Sequence, residues 1–318
     1  MAPRASLAYT GPMESTADPL IVRGLRKRFG RLEVLRGVDL RVPRGSVYGL
    51  LGLNGAGKTT TLRCVLGLLF RDGGDVSVLG HEPRNIHRTR GDIGAVFDDS
   101  CLHGNLTVRQ SLDHARMLCG GRLVRPAREL EALLGLEPVR SMKVRKLSRG
   151  NLRRANIAAA LVARPSLLVL DEPFAGLDAG GVDDVLALIR RLHEHEGTSV
   201  LLASHQLPYL EGICTHVSIL HGGTVARSGT MVEVLDGRRR RLTLRTSDPE
   251  RAVEMLSRRD ALRSATLRPD GRIVVETDGD PAAINRDLVG AGFAVSELSS
   301  SPPSLEDIFR EVTGRLRP

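Results

Sequence analysis

Eight residues, Gly52 to Thr59, read GLNGAGKT and fit the spacing G-x-x-x-x-G-K-[ST]. Glycines at Gly52, Gly55 and Gly57 let successive backbone amides turn toward one point, which suits a chain of phosphates. Asn54 and Ala56 lie inside the same loop, and Thr60 carries it into the next element. Lys58 would reach the β- and γ-phosphates, and the Thr59 hydroxyl is a hard oxygen suited to Mg2+. An acidic pair, Asp171-Glu172, follows the apolar run Leu167–Leu170. Asp171 would hold the metal, directly or through water, and Glu172 would polarise a water for attack on the terminal phosphate. Another acidic pair, Asp98-Asp99, closes the apolar run Ile93–Phe97. Alone, that pair reads as a solvated turn as readily as a ligand.

These groups stand at the ends of apolar runs, where open α/β sheets present their ligand chemistry. Val47–Leu51 is expected to be a strand, and Thr60–Leu69 an apolar helix. Strand, glycine loop and helix then follow in the order the loop needs, and the helix N-terminus adds a dipole that favours an anion. Leu167–Leu170 reads as a buried strand, and His205 ends another in LLASHQL. Residues 20–47 alternate strand-like runs with turns and should form a small antiparallel layer. Residues 99–150 are helix-rich.

Between the loop and the Asp-Glu pair lies KLSRGNLRRANIAAALVARP, and with it the chain resembles the ATP-binding cassette ATPases. That family carries an LSGGQ signature here. Leu147-Ser148-Arg149-Gly150-Asn151 matches its Ser and second Gly, and Arg154 matches a downstream Arg, while Arg149 and Asn151 depart from Gly and Gln. The resemblance spans about residues 20–232. It implies ATP and Mg2+ as cofactors, a P-loop NTPase core, and a Ser148/Gly150 surface that closes over the γ-phosphate held by a second copy. It places Asp178 of AGLD at the family's D-loop, His205 as the switch histidine, and Phe29 where an aromatic stacks on adenine. An ordinary core aromatic is the alternative for Phe29. Aligning IGAVFD with the family's IGYVPQ pattern puts Asp98 at the Gln-loop position and makes it a third candidate metal ligand beside Thr59 and Asp171. Drug and peptide-antibiotic exporters of the bacitracin and lantibiotic type are similar here and carry an acid; NLTV, Asn105 to Val108, fits them too.

Composition narrows the setting. Four of the 46 basic residues are lysines, the net charge is +9, and aromatics are 3 % with no Trp. A base-stacking surface for nucleic acid is therefore not expected. The four cysteines show no CxxC spacing, and no window approaches the ~18 consecutive apolar residues of a membrane span. A cytoplasmic, reduced protein fits these features, and the resemblance implies that it is peripheral on the inner face of the cell membrane through a permease partner. Residues 1–19 read as a flexible tail, 20–236 as the ATP-binding domain, and 240–318 as a small ferredoxin-like α+β domain in the order β-α-β-β-α-β. Arginines 238–241 mark the boundary as a solvated linker or, alternatively, a lipid contact. The ending SLEDIFREVTG resembles that of ATPases from drug-exporter systems. The expected architecture is thus a mostly parallel α/β core with an antiparallel β layer and a helical subdomain, plus the C-terminal domain. The expected function is the ATP-hydrolysing subunit of an exporter, a homodimer serving a separate polytopic membrane subunit. A non-transport cassette ATPase acting on DNA or ribosomes is the alternative, and a binding scaffold with little turnover the third.

Overall fold

A computed structural model describes residues 18–89, 91–119, 124–235, 240–258, 262–277, 279–301 and 304–314. The expected N-terminal tail up to residue 17, and Arg238 and Arg239 of the arginine run, lie outside the described residues. The chain divides into two compact units, Met1–His205 with Ile213–Ala226, and Gln206–Gly212 with Arg227–Pro318.

In the first unit, β1 (Leu20–Phe29), β2 (Leu32–Val42) and β4 (Gly73–Val78) form an antiparallel sheet in the order β2-β1-β4. The central sheet takes β3 (Val47–Leu51), β5 (Ile93–Val96), β6 (Leu167–Asp171), β7 (Ser199–Ser204), β8 (His216–His221) and β9 (Thr224–Thr230), in the order β5-β6-β7-β3-β8-β9. From β5 to β8 every pairing is parallel. Every residue of β3, β6 and β7 is buried, which explains why these strands are continuous apolar runs rather than alternating ones. Five helices accompany the sheets: α1 (Lys58–Val65), α2 (Val108–Leu118), α3 (Ala127–Leu133), α4 (Arg149–Ala160) and α5 (Ala179–Glu196). Thr107 caps α2 in a reciprocal capping box with Gln110, and Arg109 of α2 ion-pairs with the buried Glu131 of α3.

Helix α1 is shorter than the apolar run suggested. It stops at Val65 because Gly67 turns left-handed at φ +69°. The Gly67 amide then donates to the Cys64 carbonyl at 3.2 Å, and the Leu68 amide to the Arg63 carbonyl at 2.9 Å, which is the Schellman pattern. The antiparallel layer also has a third strand, β4, which the alternation in residues 20–47 did not announce.

The second unit contains α6 (Leu207–Glu211), α7 (Met231–Leu235) and a four-stranded antiparallel sheet. Its strands β10 (Arg240–Thr246), β11 (Leu262–Leu267), β12 (Ile273–Thr277) and β13 (Val295–Ser301) lie in the order β11-β12-β10-β13. Helices α8 (Pro249–Ser257) and α9 (Pro281–Gly290) complete the split βαβ order, and α10 (Leu305–Thr313) follows. Leu242, Leu244, Ile273 and Val275 form its core with Leu256 and Leu288. Ser304 caps α10, as its place before an acidic first turn suggested.

Candidate nucleotide-binding and hydrolysis site

Four neighbouring parallel strands end at one edge and deliver the chemistry there. Strand β3 runs into the glycine loop, β6 ends in Asp171, β7 is followed by His205, and β5 leads through Phe97 to Asp98. This edge, at the carboxyl ends of the strands, is the ligand edge of an open α/β sheet.

The loop needs its glycines. Gly57 sits at φ +106°, and a Cβ there would lie 2.6 Å from Leu35 Cδ2. Gly55 is left-handed at φ +81° with open space where a side chain would project. A Cβ on Gly52 would meet the Leu220 carbonyl at 2.9 Å. Asn54 and Ala56 lie in the same turn, where the Ala56 amide donates to the Leu53 carbonyl. Gly57 begins α1 with no side-chain cap, so the amides of its first turn, including those of Thr59 and Thr60, are left to a ligand.

Lys58 is buried, and its ammonium curls back to donate to the Gly52 carbonyl at 2.8 Å and to pair with Glu172 at 3.3 Å. Thr59 donates its hydroxyl to Asp171 Oδ2 at 2.7 Å. The other Asp171 oxygen, Oδ1, is buried with no hydrogen-bond partner. Burial pushes the Asp171 carboxyl above the ordinary range, and the Glu172 charge adds to this against the Thr59 hydrogen bond. Glu172 is partly buried, which raises its carboxyl, but His205, Lys58 and Ser204 outweigh that and leave it below the usual value. His205 Nδ1 lies 3.0 Å from Glu172 Oε1, and the Ser204 hydroxyl donates to Oε2 at 3.0 Å. Lys58, Thr59, Asp171, Glu172 and His205 are thus one connected set.

An unsatisfied carboxylate oxygen beside a hydroxyl fits Mg2+, which takes one or two protein oxygens and completes its shell with phosphate and water. Among the described residues no cluster of three or more His, Cys, Asp or Glu could hold a metal.

The remaining candidates lie apart from this set. Ser148 caps α4, accepting from the Asn151 amide at 3.2 Å, with Gly150 in the first turn behind it. Asp178 caps α5 through the Gly181 amide at 2.9 Å. Phe29 is 48 % exposed at the end of β1, with the Lys27 ammonium 5.5 Å from its ring, so it is not a core aromatic. Asp98 is bonded to Arg153, whose Nη2 donates to its Oδ1 at 2.8 Å. Ser204 and Arg153 were present in the quoted sequence stretches but carried no local signal. Each acquires its partner only through a contact distant in sequence.

A family profile described as ABC transporter matches residues 35–175. The bacitracin transport ATP-binding protein BcrA of Enterococcus faecalis is 30 % identical over 292 residues, covering 91 % of this chain and 94 % of its own. This chain belongs to the ABC transporter ATP-binding proteins. The daunorubicin resistance ATP-binding protein DrrA3 of Streptomyces coeruleorubidus is 34 % identical over 310 residues, covering 94 % of this chain and 97 % of its own. The fold is also that of a dimeric ATP-binding cassette in a post-hydrolysis state bound to ADP and Pi. That cassette superposes with TM-score 0.62 at 23 % identity, over 67 % of this chain and 98 % of its own. As a member of this family the chain is an ATP-binding, ATP-hydrolysing subunit of a transporter.

Proposed function

We propose that this ABC ATPase hydrolyses Mg-bound ATP as a homodimer and drives efflux of a drug, antibiotic or lipid-like substrate through a separate membrane subunit. It would work at the inner face of the cell membrane. The observation that carries the hydrolytic reading is the Glu172 carboxylate, held by Ser204 and His205 and tied to Lys58, next to the unpartnered Asp171 oxygen. The exporter reading is supported by the names of the relatives, bacitracin transport and daunorubicin resistance. In keeping with a separate membrane subunit, no helix among the described residues is long and apolar enough to cross a membrane.

On this reading the loop amides and Lys58 bind the phosphates, and Phe29 offers an exposed face to adenine. Thr59 and Asp171 would hold Mg2+, which would supply charge neutralisation to the phosphates. Glu172 orients a water and takes its proton as the water oxygen bonds to the γ-phosphorus and the bond to ADP breaks. His205 orients Glu172 and faces the γ-phosphate. Ser148 and Gly150 of a second copy close the site, with Asp178 at the same seam. The test is Glu172→Gln. The variant should bind ATP, lose turnover by about a hundred-fold or more, and elute as an ATP-dependent dimer in size exclusion. A wild type that turns over ATP without dimerising, beside a variant that stays monomeric, would overturn the homodimer reading.

A further inference from the structure

The loop after β5 is gripped from two helices. From the last turn of α1, the Arg63 guanidinium lies 5.7 Å from the Phe97 ring centre and pairs with Asp99 at 3.7 Å. From α4, Arg153 donates to the Phe97 carbonyl at 2.9 Å and to the Asp98 carboxylate at 2.8 Å. One turn further along α4, buried Asn156 accepts from the Ser100 hydroxyl at 3.1 Å, and its own amide is anchored on the Leu152 carbonyl at 3.0 Å. Helix α1 begins at Lys58, and α4 is capped by Ser148. The loop therefore bridges the helix of the phosphate loop and the helix of the signature.

The two grips are unequal. Asp99 is 94 % exposed, and a pair so open to solvent contributes little. Arg153 is only 6 % exposed although Asp98 is 82 % exposed. A guanidinium at that depth needs partners, and the loop offers it a backbone carbonyl and a carboxylate. A neutral amide at 98 would keep an acceptor but remove the compensating charge. The acid at 98 thus faces a buried cation.

We infer that Arg153 is a positioning residue of the hydrolysis reaction, a buried cation that locks the loop at Asp98 to the signature-bearing helix α4 through an ion pair with the exposed Asp98 carboxylate. The inference rests on the ATPase reading above. Because α4 is one continuous helix, a shift of the Asp98 loop is passed to Ser148 and Gly150. Arg153 thereby sets where that surface stands when a second copy approaches.

The test compares Asp98→Asn, Arg153→Gln, the double variant and Arg153→Lys in the full chain. It reads ATP affinity by calorimetry, kcat, KM, and the Mg2+ concentration for half-maximal activity. Each single neutral change should lower kcat by about five-fold or more while ATP affinity stays within about two-fold. The double variant should be no worse than the poorer single one, Arg153→Lys should recover part of kcat, and the Mg2+ midpoint should not move. Multiplying defects in the double variant would overturn the ion-pair role. So would a Mg2+ midpoint moved by Asp98→Asn alone, which would make Asp98 a metal ligand. Parallel loss of ATP affinity and melting temperature would reduce Arg153 to a structural residue. A folded wild type that neither binds nor hydrolyses ATP would overturn the ATPase reading and this one together, whereas the other outcomes leave the ATPase reading standing.

Discussion

Glu172 adopts φ +46°, a left-handed conformation that costs a residue with a side chain about 1–2 kcal/mol. Its amide is held by the Ala203 carbonyl at 2.8 Å, so β7 fixes the strained turn that aims the carboxylate. Spacing alone named Lys58, Thr59, Asp171 and Glu172, because phosphate and metal chemistry restrict the residue types. It could not name Ser204 or Arg153, whose importance lies in what folding brings beside them. Replacing Lys58 with Ala removes a charge-assisted phosphate contact of about 1.5–3 kcal/mol, so ATP affinity by calorimetry should fall at least several-fold. Asp171 should behave in the opposite sense for stability. Its carboxyl is raised, so the folded chain holds the proton more tightly than the unfolded one. Its stabilising contribution is full below the ordinary aspartate value and is lost as pH rises through that value to the raised one. At neutral pH the charged group is therefore a burden. Asp171→Asn should raise the melting temperature of the nucleotide-free chain near pH 7, with the gain vanishing in acid, while Mg2+-dependent ATPase activity is lost.

At the level of elements, apolar runs announced the central strands well, since burial on both faces removes any need for alternation. They were a poorer guide to ends. The run from Thr60 to Leu69 looked helical throughout, yet Gly67 ends α1 early because its left-handed backbone closes the last carbonyls. A Cβ at Gly67 would also lie 2.5 Å from the Pro83 carbonyl oxygen. Gly67→Ala should therefore destabilise the chain by about 1–3 kcal/mol in a denaturant titration. The ATP affinity of the folded fraction should hardly change, because the phosphate loop is at the other end of the helix. Strand β4 escaped notice for a related reason. GGDVSV carries too few apolar residues to stand out until β1 pairs with it.

For the whole molecule, the change of pattern read near residue 240 falls beyond Arg227, from which the chain already belongs to the second compact unit, while the β-α-β-β-α-β order from β10 to β13 was readable from turn residues and caps. That Gln206–Gly212 group with the C-terminal residues was not readable, since nothing local marks α6. Within that unit the Leu305 amide donates to Glu211 at 3.1 Å, tying α10 to α6. A chain ending at Asp236 should still bind ATP by calorimetry, because among the described residues none of the phosphate-loop contacts comes from beyond it. It should melt lower than the full chain, since Leu207 and Leu210 lose α10. A monodisperse truncated chain unable to bind ATP would refute that division of labour. The Lys58–Glu172 pair also puts two tasks on one contact, since the ammonium that would meet a phosphate touches the carboxylate that would take a proton. Grip and chemistry share a charge there, so a change made at either residue is felt at the other.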